Sequence, residues 1–362
     1  MDMPLARITT VDTLHSYLYA ALQLEHATIP PYLTALYSIH PGANSDAFHV
    51  VRVVAVEEML HLTLAANVLN AVGGSPDLTG ADFVPTYPAL LPDGEDDFQV
   101  DRQGFSREAV DTFLKIERPD GAPDEESRVT QREGAAAPSL VAAPGDDSLR
   151  FFSIGDFYEE ISRGLEHLNG EKAKAGEELF VGDPARQVTP EYYYSGGGEV
   201  VPVTDLDSAL EAIRLIGEQG EGLGGEIYDN EGELAHYYRF KQLLLGRYYQ
   251  KGDGPDDPTG PPLNIDWDAV YSVKTNASLD DYPEGSELHA AAVEFNQQYA
   301  NFLGMLTDAY TGRPELLIDA VAEMFRLREG MTGLIRNPIP GADGLMAAPT
   351  FEVAGDSAEA KT

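Results

Sequence analysis

Cysteine is absent from the 362 residues. Disulfides, thiolate nucleophiles, iron–sulfur clusters and thiolate zinc sites are excluded together, so any metal must sit on nitrogen and oxygen ligands. Basic residues are scarce, 24 Lys and Arg against 61 Asp and Glu, for a formal net charge of -37. A surface this negative repels phosphate, which argues against nucleic-acid and anionic-membrane partners. No stretch reaches the ~18 uninterrupted apolar residues of a membrane span. The first ten residues carry no basic stretch followed by an apolar run, so no secretory signal is expected. These absences lead to the expectation of a cytoplasmic protein.

What is present is enough to fold. Hydrophobic residues make up 43% and aromatics 9%, well above the level of disordered chains. Residues 11–39 read as a long helix interrupted by Pro30-Pro31, where a kink is expected. His40-Pro41-Gly42 breaks it, and Asn44 or Ser45 can cap a second helix to about Val72. Together they form an antiparallel helical hairpin. Residues 77–150 are rich in Pro, Gly and Asp. They read as an irregular insertion with one helix at 106–117 and a mobile stretch around 119–148. Further helices are expected at 154–168, from Asp205 or Asp207 to Gln219, and at 231–249, 286–310 and 314–334, with an irregular tail from about 336. Tyr192-Tyr193-Tyr194 and Val200-Val201-Pro202-Val203 flank three glycines and suggest a small β-hairpin.

The informative residues are polar ones on apolar faces. Stepping by three and four along the second helix gives Ala47, Val51, Val54, Glu58, His61, Ala65, Val68 and Val72. Only Glu58 and His61 are polar, one turn apart. The same walk along the first helix gives Leu14, Leu18, Ala21, Glu25, Thr28 and Tyr32. A buried lone carboxylate costs several kcal/mol and must be paired, protonated or metal-bound. Taking Gly42 as the turn, Glu25 lies 17 residues before it and Glu58 lies 16 after. At ~1.5 Å rise per residue the two sit at nearly the same height on facing helices.

The 231–249 helix repeats the pattern with Glu233 and His236, followed on one stripe by Phe240 and Leu243 or Leu244. With 8 histidines, chance alone gives about 0.7 Glu-x-x-His, so one motif means little. Two, each on an apolar stripe, mean more. The competing reading makes His61 and His236 core histidines, each satisfied by its neighbouring glutamate. Di-iron bundles of the ferritin-like class carry one Glu on each of two helices and Glu-x-x-His on each of two others. This chain fits an all-α, ferritin-like bundle with additional C-terminal helices and long loop insertions, forming a single domain over 1–362. The expected metal ligands are Glu25, Glu58, His61, Glu221, Glu233 and His236. The fourth carboxylate is the open choice: Glu221 is favoured, with Glu160 and Glu159 as alternatives on the 154–168 helix.

Three segments carry a resemblance: Leu24-Glu25-His26-Ala27-Thr28-Ile29-Pro30-Pro31-Tyr32, Glu57-Glu58-Met59-Leu60-His61, and Glu233-Leu234-Ala235-His236-Tyr237-Tyr238-Arg239-Phe240. They resemble the ferritin-like domain of the iminophenyl-pyruvate dimer synthases, enzymes of violacein- and rebeccamycin-type biosynthesis. The similarity extends through Asp281-Tyr282-Pro283-Glu284-Gly285-Ser286 to Ala348-Pro349-Thr350-Phe351. It implies an iron-type Glu/His site in a helical bundle, used for oxidation of an amino-acid-derived or aromatic metabolite. Carboxylate and imidazole donors suit iron and O2 or peroxide chemistry, with two ions expected. Manganese or another divalent metal would suit the same donors. The leading expectation is a metal-dependent oxidoreductase with a small-molecule substrate and O2 as partners, and homo-oligomerisation as an option. The alternative is a non-catalytic metal-binding or iron-storage protein.

Overall fold

The computed structural model describes residues 7–91, 98–119, 154–194, 196–222, 226–230 and 232–353, the side chain of Glu221 excepted. The stretch around 119–148 expected to be mobile falls outside these residues, apart from Pro119.

Two long helices organise the molecule. Helix α1 (Val11–Ser38) starts where the Thr10 side chain accepts from the Thr13 backbone N–H. It runs through Pro30 and Pro31, and Thr34 Oγ1 donates to the Pro30 carbonyl at 2.8 Å. Helix α2 (Ser45–Ala71) follows a tight turn in which Gly42 and Asn44 adopt positive φ. Asn44 makes no side-chain cap; its amide instead donates to the Asp266 carbonyl at 2.8 Å. All six residues of the α1 seam and all eight of the α2 seam are buried. Apolar spacing at three and four thus placed both faces correctly.

Helix α3 (Arg107–Ile116) is capped by Ser106 and ends at Glu117. Helices α4 (Ile154–Ala175) and α5 (Leu206–Glu221) lie against each other. Helix α4 also touches α1, and α5 touches α2, which closes a four-helix ring. Asp205 and Ser208 form a reciprocal capping box at the start of α5. Helix α6 (His236–Leu245) packs on α3, α2 and α5. Helices α7 (Glu287–Tyr310) and α8 (Leu316–Ile335) pair with each other and reach back to α2 and α1 respectively. None of the described helices is long and apolar enough to cross a membrane.

Two expectations need correction. No β-hairpin forms in the described residues of 192–203, where the backbone partners are side chains instead of a strand ladder. Buried Asn67 on α2 donates to the carbonyls of Val188 and Val201 and accepts from the Val188 N–H. Gln187 Oε1 accepts from the Val203 N–H. The expected 231–249 helix begins only at His236. Before it, Asp229 and Ala235 exchange backbone hydrogen bonds with Glu233 and Ile227 across a tight turn that uses positive φ at Gly232. Residues 233–235 are therefore extended.

Candidate metal centre

The α1–α2 hairpin delivers three side chains to one buried place. His61 Nδ1 lies 3.3 Å from Glu25 Oε2 and 3.7 Å from Glu58 Oε1. A second group forms beside it: His236 Nδ1 lies 3.0 Å from Glu58 Oε1 and 3.4 Å from Glu117 Oε2. The oxygen and nitrogen atoms within each group lie within 4.8 Å of one another, and every member is buried. Glu58 belongs to both groups. The two imidazole rings stack at 5.5 Å between centroids and 22° between planes.

Both histidines are held from behind. His61 Nε2 bonds Gln219 Oε1 at 2.9 Å, and His236 Nε2 bonds Glu57 Oε2 at 2.9 Å. With each outer nitrogen bonded as a donor, each inner Nδ1 faces the carboxylates, where a metal ion would take the place of its proton. Gln219 is fixed in turn, because its Nε2 donates to the Gly197 carbonyl at 3.0 Å. Gly197 passes so close to α2 that a Cβ there would sit 2.9 Å from the Glu57 Cα, and its φ is +78°. The glycine run thus serves close approach to α2. Arg239 Nη2 stands 3.4 Å from Glu57 Oε1 and balances its charge.

The carboxylates are held in the same way. Thr28 Oγ1 donates to Glu58 Oε2 at 3.0 Å, Tyr32 donates to Glu117 Oε1 at 2.5 Å, and Tyr158 donates to Glu25 Oε1. Burial and the neighbouring carboxylates, Glu117 for Tyr32 and Glu25 for Tyr158, push both phenols well above their ordinary range, so they stay donors. Burial and the Glu117 carboxylate push the Glu58 carboxyl up to about 7. Burial alone would depress His61 and His236. The carboxylates, Glu25 foremost for His61 and Glu117 for His236, outweigh it and raise both.

The donor set fits a pair of divalent cations. With both histidines neutral, Glu25, Glu58 and Glu117 leave three negative charges in a dry interior. That arrangement is costly unless cations or protons neutralise it. The buried His236 Nδ1 has no partner in hydrogen-bond geometry despite its two carboxylate neighbours. An unpartnered nitrogen facing two acidic oxygens is what a metal ligand without its ion presents.

Glu25, Glu58, His61 and His236 come together. Glu233 does not: it is exposed and pairs with Arg239 at 2.8 Å, because the extended backbone before α6 removes it from the helical face that carries His236. The Glu221 side chain falls outside the described residues; on α5 it is Gln219 that reaches the cluster. Glu160 is buried but committed to the Ile8 N–H at 2.6 Å and to Arg163, and Glu159 is exposed. The carboxylate that does enter is Glu117, which sequence reasoning missed. Its signal was available, since Val110, Phe113 and Glu117 follow the three-and-four step along buried positions of α3. Buried Glu57 was missed as well, although it lies in phase with buried Val50, Leu60 and Leu64.

The ferritin-like family model matches residues 18–245, more than half of the chain, and spans every residue of the cluster. The chain belongs to the ferritin-like family. Among characterised relatives, this ferritin-like chain is 27% identical over 326 residues to dichlorochromopyrrolate synthase of Lentzea aerocolonigenes, covering 83% of the chain and 29% of the synthase. It is 26% identical over 308 residues to 2-imino-3-(indol-3-yl)propanoate dimerase of Chromobacterium violaceum, covering 82% of the chain and 26% of the dimerase. The chain therefore spans less than a third of the length of these biosynthetic relatives. A ferritin-like protein from Caulobacter vibrioides, solved as a crystal structure, superposes with a TM-score of 0.59 at 22% identity. That alignment covers 90% of this chain and 96% of the other, and it supports the fold.

Proposed function

We propose that this ferritin-like protein is a metal-dependent oxidoreductase that uses O2 or peroxide on a small organic metabolite, amino-acid-derived or aromatic in class. One observation carries the proposal: two buried carboxylate–imidazole groups share Glu58, and their outward nitrogens are already held by Gln219 and Glu57. One ion would lie on Glu25, Glu58 and His61, the other on Glu58, Glu117 and His236. Two divalent ions bring four positive charges against three carboxylates, which reverses the sign of the cluster. Iron suits these donors best, and when bound it supplies the electron-accepting chemistry that the organic side chains lack.

The protein's own part is to hold and insulate. Tyr32, Tyr158 and Thr28 occupy one oxygen each of Glu117, Glu25 and Glu58, which leaves the opposite oxygens, Glu117 Oε2, Glu25 Oε2 and Glu58 Oε1, nearest the histidines. The surrounding shell is buried and aromatic: Tyr32 packs edge-on against Phe113 at 4.6 Å and lies 5.3 Å from Phe240. Exclusion of water keeps the electrostatic interactions strong. The substrate class is inferred from the two biosynthetic relatives, one named a synthase and the other a dimerase of an imino acid.

The test is elemental analysis of the purified protein, followed by O2-uptake measurements with aromatic amino and imino acids. About two metal ions per chain and substrate-dependent O2 consumption are expected. Metal without any substrate-dependent O2 consumption would favour a binding or storage role, and a metal-free protein that cannot be reloaded would end the proposal.

A further inference from the structure

A cleft of about 200 Å3 opens between the loop at 79–87, Arg102, the segment 276–278 and the tail at 350–353. The volume share of one water is about 30 Å3, so the cleft has room for a small organic molecule. No member of the Glu/His cluster lines it.

Its walls hold two opposite charges, Arg102 and Glu352, which attract each other across the cleft but have no oppositely charged group within 4.0 Å among the described residues. Arg102 is only 5% exposed. Nη1 donates to the Pro349 carbonyl at 2.7 Å and Nη2 to the Ala277 carbonyl at 2.9 Å, while the buried Nε has no hydrogen-bond partner. Among the described residues no carboxylate comes within 4.0 Å of the guanidinium. The rings of Tyr87 and Phe351 flank it at 5.1 and 5.6 Å. Glu352 is the complementary case. It lines the same cleft, accepts only the Leu279 N–H at 3.0 Å, and has no Lys, Arg or His within 4.0 Å among the described residues.

A buried guanidinium and a carboxylate that share one cleft without an ion pair within 4.0 Å define a ligand by charge. A simple anion would satisfy Arg102 and be repelled by Glu352; a simple cation would meet the reverse. A molecule carrying both charges a few bonds apart satisfies each, and charge-assisted hydrogen bonds of this kind are the strong ones. Ser278 and Thr350 add hydroxyls to the same walls. We propose that this cleft binds a small zwitterionic α-amino acid, its carboxylate on Arg102 and its ammonium on Glu352. The proposal goes beyond the metal-centre reading and stands whether or not that reading holds.

Calorimetric titration of the full chain with L-alanine, propionate and ethylamine tests it, because the last two each lack one of the charges. L-alanine should bind about tenfold or more tightly than either, a difference of about 1.4 kcal/mol. Glu352→Gln keeps the acceptor for the Leu279 N–H, so its fold is preserved. It should weaken L-alanine about tenfold while leaving propionate no weaker than in wild type. Arg102→Gln should abolish binding of both carboxylates; since Arg102 also bridges two backbone segments, its far-UV circular dichroism is compared with wild type. No heat from L-alanine at up to about 10 mM, or equal L-alanine affinity in wild type and Glu352→Gln, overturns the proposal.

Discussion

Glu58→Gln is the substitution on which the two-metal reading can be judged. Glu58 Oε1 lies 3.7 Å from His61 Nδ1 and 3.0 Å from His236 Nδ1, and so serves both groups. The change removes one negative charge and retains the shape and the acceptor for Thr28. A unit charge pair at about 4 Å and an effective dielectric of about 20 interacts by about 4 kcal/mol, and 1.4 kcal/mol is a factor of ten. A divalent ion doubles that energy, so loss of one carboxylate beside it should weaken each position by a factor of about a thousand or more. Metal content after dialysis against a graded chelator series reads this directly. Wild type should retain about two ions per chain, Glu25→Gln and Glu117→Gln one each, and Glu58→Gln none. The metal-free variant should unfold within about 1 kcal/mol of metal-free wild type, since an amide replaces a carboxyl that its surroundings already keep about half protonated at pH 7. Full metal content in Glu58→Gln would refute the shared-ligand geometry.

Four other outcomes follow from the same contacts. Glu233→Gln should leave metal content unchanged, because that side chain is exposed and bound to Arg239; loss of metal would show that it reaches the cluster after all. Gln219→Leu should weaken metal binding about 10–100-fold, the usual effect of losing the group that orients a histidine ligand, and a chelator competition assay would detect it. Gly197→Ala meets the Glu57 backbone at 2.9 Å with φ at +78°. It should lower the midpoint of thermal unfolding by an amount equivalent to about 1–3 kcal/mol, whereas an unchanged midpoint would mean that the loop yields freely. The pH dependence has a definite sign. In the metal-free protein His61 and His236 sit above their ordinary value of 6.5, and Glu58 is raised from 4.5 to about 7. The folded state therefore holds extra protons, and its stability should fall as pH rises from about 5 through 7 and beyond. Metal binding must displace those protons, so calorimetry in buffers of different ionisation enthalpy should show proton release, and apparent affinity should climb over the same range. Proton uptake would contradict the assignment.

The hairpin half of the site was legible because its signals are periodic. Glu25, Glu58 and His61 interrupt otherwise apolar seams in the interiors of long helices, where a three-and-four step fixes which residues share a face. The same rule failed at Glu233. A Glu-x-x-His spacing brings two side chains together only where the intervening backbone is helical, and here the backbone bonds of Asp229 to Gly232 and Glu233 delay the helix until His236. Glu117 was overlooked for a different reason, although it follows the three-and-four step of its helix. It stands at the C-terminal cap of a ten-residue helix inside a Pro- and Gly-rich region, where length and composition gave little ground for expecting a buried ligand. The hairpin predicted around 192–203 shows a third limit: the β-prone residues are present, but Asn67 and Gln187 supply the hydrogen bonds that a partner strand would have made.

The four helices of the ring do not contribute equally to the cluster. Helices α1 and α2 supply Glu25, Glu58 and His61 from their interiors, where neighbouring turns fix every backbone atom. From the ring's other two helices the observed contacts are a phenol and an amide, Tyr158 on α4 bonding to Glu25 and Gln219 on α5 bonding to His61. The other two members of the cluster, Glu117 and His236, come from the end of α3 and the first residue of α6, two short helices packed on each other outside the ring. Sites mounted on helix interiors are held more tightly than sites at element ends. The two metal positions should therefore differ, with the Glu25–His61 side rigid and the Glu117–His236 side the more adaptable. Glu58 joins them, and both depend on its charge. Stepwise loading with a spectroscopically visible divalent ion such as Co2+ would then fill the Glu25–His61 position first. Under that order Glu117→Gln keeps the tighter of the two binding steps and Glu25→Gln keeps only the weaker; the reverse pattern would mean that the ring does not set the order of loading.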